Sequence, residues 1–81
     1  MLVNVRYFKP GLNGFCGNAF TYRTKLPLKV GSRVIAPTRG GDQRAIVVET
    51  EVPESRVDTR ILPLLKEIIR YDAEEQEDAD A

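Results

Sequence analysis

The sequence has no histidine, no tryptophan and a single cysteine, Cys16. One cysteine cannot form an internal disulfide, and without histidine the chain lacks the usual general base and the commonest metal ligand. Because no imidazole is present to activate its thiol, Cys16 is interpreted as a plain loop cysteine. The sequence also contains no recognisable catalytic triad or set of metal ligands. We therefore expect a protein that is not an enzyme and needs no cofactor or metal.

Long apolar runs are also absent, and nothing approaches the roughly 20 consecutive apolar residues that span a bilayer. The opening MLVNVRYFKP does not resemble a secretory signal, so we expect a cytoplasmic protein without a membrane partner. The 81 residues suffice for one small domain. A domain of this size has little room for a deep cleft beside its core, which favours recognition at the surface over catalysis.

The formal net charge of zero hides a separation of charge along the chain. Residues 1–71 contain all twelve Lys and Arg but only six of the twelve acids, so they carry +6 and residues 72–81 carry −6. The acidic segment has too little apolar area to offset its ordering entropy and is predicted to be a disordered tail. Three interpretations of it remain open: a solvated tail, a competitor that folds back over the basic body, or a mimic of a phosphate backbone.

Alternating apolar residues predict five short strands, near 2–8, 19–24, 32–36, 44–52 and 66–71. Segments rich in glycine and proline separate them, and Pro63 favours one short helical turn near 60–65. This spacing predicts an all-β protein, a small five-stranded β-barrel that is closed or partly open, over residues 1–71. Closure would remove the exposed edges that a short sheet otherwise presents.

Three segments resemble a known DNA-binding domain: F-T-Y at 20–22, K-V-G-S-R-V-I-A-P at 29–37 and A-I-V-V at 45–48. The series is similar to the N-terminal domain of the primosomal replication helicase, which holds the 3′ end of the nascent strand at a fork. Small stand-alone proteins of phage type with the same K-V-G-x-x-V-x-x-P core are also similar. The likeness to the helicase domain covers about residues 20–72 and concerns the barrel alone.

The resemblance implies a barrel that binds single-stranded or fork DNA. It implies that Phe20 and Tyr22 frame a nucleotide pocket, that Gly40 gives access to the backbone and that Lys66 supplies a cation. This chain departs from the family at Thr21, where the family has an aspartate that helps to read the terminal nucleotide. Because of this difference, the resemblance leaves open whether the chain captures a 3′ end.

The residues themselves leave two interpretations of each feature open. Phe20 and Tyr22 form either a base-stacking platform or part of the core. The cations around the second turn either track a phosphate backbone or are ordinary solvated charges. The leading hypothesis is a non-enzymatic module that binds single-stranded or fork DNA through Phe20, Tyr22, Lys29, Arg33, Arg39, Gly40, Arg44 and Lys66.

The glycine-rich loop at 9–18 supports an alternative function. It contains two apolar residues, Leu12 and Phe15. They either contact a protein partner, insert as a wedge between bases or, for Phe15, fold back to plug the end of the barrel. The alternative is thus a phage-type adaptor or inhibitor that binds a host protein through Leu12 and Phe15. A contiguous basic groove would favour nucleic acid, whereas a flat apolar patch at the loop would favour the protein partner.

Overall fold

The computed structural model describes residues 1–9, 11, 14, 15 and 17–72. Within these residues no helix is both long enough and apolar enough to cross a membrane. Two 3₁₀ turns, Glu54–Arg56 and Leu62–Leu64, are the helical segments of the described chain after β5. The described strands are β1 (Leu2–Lys9), β2 (Gly14–Phe15), β3 (Phe20–Thr24), β4 (Arg33–Thr38), β5 (Gly41–Glu49) and β6 (Glu67–Ile68).

The strands form one sheet in the order β4-β5-β1-β3-β6, with β2 paired to β1 outside this path. β1 is antiparallel to β5 and β3, whereas β6 runs parallel to β3. After β6 the chain crosses to β4, where Ile35 N–H donates to Arg70 O (3.3 Å) and Asp72 N–H donates to Arg33 O (3.0 Å). These bonds join the two ends of the strand order. The sheet is therefore a nearly closed five-strand barrel, which confirms the predicted fold class.

The inward faces of the strands form the core, as the period of two in the sequence predicts. In β1, Val3 and Val5 are fully buried, whereas the intervening Asn4 is half-buried and Arg6 is exposed. The β1–β5 register shifts between Asn4 and Val5, and such a bulge increases the bend that closure requires. The buried core cluster consists of Val3, Val5, Tyr22, Leu28, Val34, Ala36, Ala45, Val47 and Ile68.

The strand boundaries differ from the prediction where long-range pairing decides them. The predicted loop at 9–18 contains the short strand β2, because Phe8 and Phe15 are paired across it. The predicted strand at 66–71 pairs with β3 only at Glu67–Ile68, because the chain then leaves β3 to reach β4. The predicted helical turn near 60–65 is the 3₁₀ turn Leu62–Leu64, and Glu54–Arg56 forms a second 3₁₀ turn in the predicted connector.

Asp72 lies in the barrel, although the charge pattern assigns it to the start of the acidic tail. Its side chain is buried, and its carboxylate accepts a hydrogen bond from Arg44 Nε at 2.8 Å. Its N–H donates to β4, so it belongs to the segment that closes the sheet. The predicted disorder of residues 73–81 lies outside the described residues.

Candidate binding groove

An open groove of about 510 Å³ lies among the start of β3, the β4–β5 turn and the segment that carries the 3₁₀ turns. We call this space the groove. Four residues of the nucleic-acid hypothesis line it, namely Phe20, Tyr22, Arg39 and Lys66. Residues from both halves of the sequence, among them Phe20, Tyr22 and Lys66, thus meet on one side of the barrel.

Phe20 provides an exposed aromatic ring at this groove. It shares the inward face of β3 with Tyr22, but it stands at the first residue of the strand, where the barrel opens. Its side chain is 46% exposed, and its ring stacks on Tyr7 with centroids 5.0 Å apart and planes inclined by 19°. The structure therefore shows Phe20 as an exposed ring at the barrel end rather than as part of the buried core. Tyr22, by contrast, is buried in the core.

The Tyr22 hydroxyl lies at the base of the groove and is fixed by two hydrogen bonds. It donates to Pro37 O at 2.9 Å, and its oxygen is 2.5 Å from the Tyr7 hydroxyl. Burial, with a contribution from the neighbouring Tyr7, raises the pKa of Tyr22 above its ordinary value of 10.0. The hydroxyl therefore stays protonated at physiological pH and acts as a permanent donor to Pro37.

Two cations at the groove are Arg39 and Lys66. Neither has an ion-pair partner among the described residues. Arg39 follows β4 in the tight turn to β5, and Lys66 immediately precedes β6. Both are exposed, so their charges face solvent beside Phe20. An anionic ligand could bind them without displacing a carboxylate of the described chain.

The other charged residues of the groove are already paired. Arg56 Nη1 lies 2.6 Å from Glu49 Oε2, and Arg60 Nη2 lies 2.9 Å from Asp58 Oδ2. The Arg60 guanidinium holds the pKa of Asp58 below its usual range, so this carboxylate stays ionised next to its own counter-charge. The groove therefore keeps an excess of positive charge from Arg39 and Lys66.

The four other predicted contacts do not line the groove. Lys29 lies in the turn before β4, where Ser32 N–H donates to its carbonyl at 2.9 Å. Arg33 and Arg44 lie on outward faces of β4 and β5, and Arg44 pairs with Asp72. The structure thus does not gather the predicted arginines into one patch. Gly40 follows Arg39 in the turn, and its N–H donates to Thr38 Oγ1 at 3.2 Å.

Phe15, the described anchor of the adaptor hypothesis, is half-buried on the outside of the barrel. Its ring centroid is 5.2 Å from that of Phe8, and the Arg33 guanidinium lies 4.6 Å from its centroid. Phe15 therefore packs against this chain's own side chains rather than plugging the barrel core. Leu12, its predicted partner, lies outside the described residues.

Sequence reasoning missed several residues of the groove. The sequence does indicate Tyr7, because it alternates with polar residues in step with Val3 and Val5 and is therefore expected to face inward near the barrel end. Ile61 and Leu64 fall in the predicted helical turn near 60–65. Their side chains are 49% and 74% exposed and form one wall of the groove. Nothing local in the sequence distinguishes them from buried residues.

The fold and the groove define a small all-β protein with a mixed aromatic and cationic surface site. Comparison with known proteins finds no match, whether among family models, curated protein sequences or solved structures. The likeness to the primosomal helicase domain and to phage-type proteins therefore stays a prediction.

Proposed function

We propose that the chain is a non-enzymatic binding module for single-stranded nucleic acid and that the groove is its binding site. The observation that carries this proposal is the exposed Phe20 ring in a groove that also holds Arg39 and Lys66, two cations without an ion pair in the described chain. Proteins that bind single strands combine these two elements, an aromatic ring for base stacking and cations along the phosphates.

The shape of the site favours a single strand over a duplex. A base must be unstacked before it can lie on Phe20, which a single strand permits at low cost. In a duplex the bases are stacked and paired, so placing one on Phe20 would first cost unstacking energy. The volume of about 510 Å³ falls within the range of roughly 300–1,000 Å³ that is typical of small-ligand sites. A nucleotide or two is a suitable occupant.

The adaptor hypothesis has less support because its described anchor is already engaged. Interfaces concentrate their binding energy in exposed aromatic residues that become buried on binding. Phe15 is half-buried against Phe8 and lies beneath Arg33, so less of its surface is available to a partner. Phe20 retains the larger exposed ring.

Fluorescence anisotropy with a labelled single-stranded oligonucleotide, at low and moderate salt, tests the proposal. Phe20→Leu keeps the apolar bulk but removes the aromatic face, and it should weaken binding by about 1–3 kcal/mol. Lys66→Gln should reduce the slope of log K against log salt by about 1. The matched control is Lys29→Gln, an exposed lysine outside the groove, which should leave affinity nearly unchanged.

Two results would overturn the proposal. The first is that the unmodified chain does not bind the oligonucleotide at low salt, and the second is that Lys29→Gln reduces binding as much as Lys66→Gln does. The second result would mean that the net charge of the barrel, rather than the groove, holds the strand.

A further inference from the structure

The groove contains a directed chain of hydrogen bonds whose polarity can be read from its partners. Pro37 O can only accept a hydrogen bond, so the Tyr22 hydroxyl donates its one hydrogen to this carbonyl, with 2.9 Å between the two oxygens. The short contact of 2.5 Å between the Tyr22 and Tyr7 hydroxyls must then use the hydrogen of Tyr7. Tyr7, which lines the groove beside Phe20, therefore has only lone pairs left for a ligand.

The two threonines that line the groove have the same polarity. Thr21 Oγ1 donates to Asn4 Oδ1 at 2.5 Å. Thr38 Oγ1 donates to Gly41 O at 2.5 Å and accepts from Gly40 N–H. Every hydroxyl group among the described residues of the groove thus donates its hydrogen to another atom of the protein. To a ligand these groups are acceptors, whereas the side-chain donors of the groove are cations.

We propose that the groove discriminates among nucleobases and favours those with an exocyclic amino group over thymine and uracil, with the Tyr7 hydroxyl as the acceptor that reads this group. The inference rests on the proposed binding of single-stranded nucleic acid. Adenine and cytosine carry an amino donor where thymine carries a carbonyl acceptor. An amino group on a base near Phe20 can donate a hydrogen bond to the lone pairs of the Tyr7 hydroxyl. A carbonyl at the same place would put two acceptors opposite each other and form no hydrogen bond.

Reversing the polarity to accommodate thymine has a cost. The Tyr7 hydrogen would have to turn toward the ligand, and the Tyr22 oxygen, which is buried with its residue, would lose its donor. The new bond would only replace an existing one, whereas cytosine adds a bond without breaking any. A net hydrogen bond of ordinary strength corresponds to a preference of about 3- to 10-fold.

Anisotropy with oligo-dC and oligo-dT of equal length tests the proposal, because both bases are pyrimidines with similar stacking surfaces. We expect oligo-dC to bind about 3- to 10-fold more tightly. An oligo-dC whose amino groups are doubly methylated keeps the ring but has no amino hydrogen, and it should lose this advantage. This arm uses the unmodified protein, so it does not depend on the folding of a variant.

Tyr7→Phe keeps the ring that stacks on Phe20 and removes only the hydroxyl, so it should bring the dC-to-dT ratio close to one. The matched control is Tyr71→Phe, because Tyr71 is half-buried but does not line the groove. It should leave the ratio unchanged. Equal affinity for dC and dT, or a ratio that survives Tyr7→Phe, would overturn the base preference alone. Failure to bind either oligonucleotide would instead overturn the proposed function.

Discussion

Ile68 and Ile69 are neighbours of identical chemistry in opposite environments, which makes them a matched pair for testing how the barrel closes. Ile68 is fully buried in the short strand β6, and Ile69 is 73% exposed where the chain leaves β3 for β4. Sequence periodicity alone allowed either residue to face inward. We expect Ile68→Ala to destabilise the fold severely and Ile69→Ala to leave it nearly unchanged.

The magnitude follows from the burial of each side chain. Replacing isoleucine by alanine removes three carbon groups, and at about 0.8 kcal/mol for each buried group the transfer contribution at Ile68 is about 2.4 kcal/mol. The cavity left behind adds to this, giving about 3–4 kcal/mol in total. A domain of 81 residues has a stability of roughly 4–12 kcal/mol, so this is a large fraction of it. At Ile69 the change should stay within about 0.5 kcal/mol.

Urea unfolding followed by far-ultraviolet circular dichroism measures both variants. The chain has no tryptophan, so tyrosine fluorescence serves as the second probe of the transition. Coincident transitions by the two probes would justify two-state free energies of unfolding. Similar losses at the two positions, or a larger loss at Ile69, would refute the reasoning, because β6 would then have the opposite register.

Two further predictions concern Tyr22 and the β4–β5 turn. Because the pKa of Tyr22 is raised on folding, the contribution of Tyr22 to stability should be fully present below about pH 10 and be lost progressively as the pH rises above it. The difference in tyrosinate absorbance between the chain and Tyr22→Phe should show Tyr22 ionising well above pH 10; its ionisation in the folded barrel near pH 10 would contradict this. Gly41→Ala should cost about 1–3 kcal/mol in urea unfolding, because Gly41 has a φ of 113°. Gly40→Ala, without positive φ, should cost less than about 0.5 kcal/mol; equal losses would refute the strain argument.

The strands could be predicted because their signals are local. The alternation of Val3 and Val5 with polar residues sets the inward face of β1, and the glycines near position 40 set the hairpin between β4 and β5. The end of β5 was harder to predict. It lies at Glu49, because Glu51 takes a positive φ of 53° before Pro53 and thereby breaks the extended backbone. A glutamate in this conformation has no sequence signal of its own.

The groove could be predicted only in part, because its walls come from segments that are distant in sequence. Phe20 and Tyr22 are indicated by their shared strand face as well as by the resemblance to a family, whereas Lys66 is indicated by that resemblance alone. Arg33 and Arg44 look the same as Arg39 in the sequence, yet they lie on outward faces of their strands. Which cations meet at one end of a barrel depends on the register and on the closing contact, and neither is a local property.

The closing contact between β4 and the chain after β6 also covers part of the outer edge of β4. β4 has a partner on one side, β5, along its whole length, and on the other side its backbone bonds within the described residues are those to Arg70 and Asp72. A strand with a free edge is a template on which another chain can add a strand. With these two bonds made, part of that template is occupied from within. The last described residues of the chain therefore occupy part of an edge on which a further strand could otherwise pair.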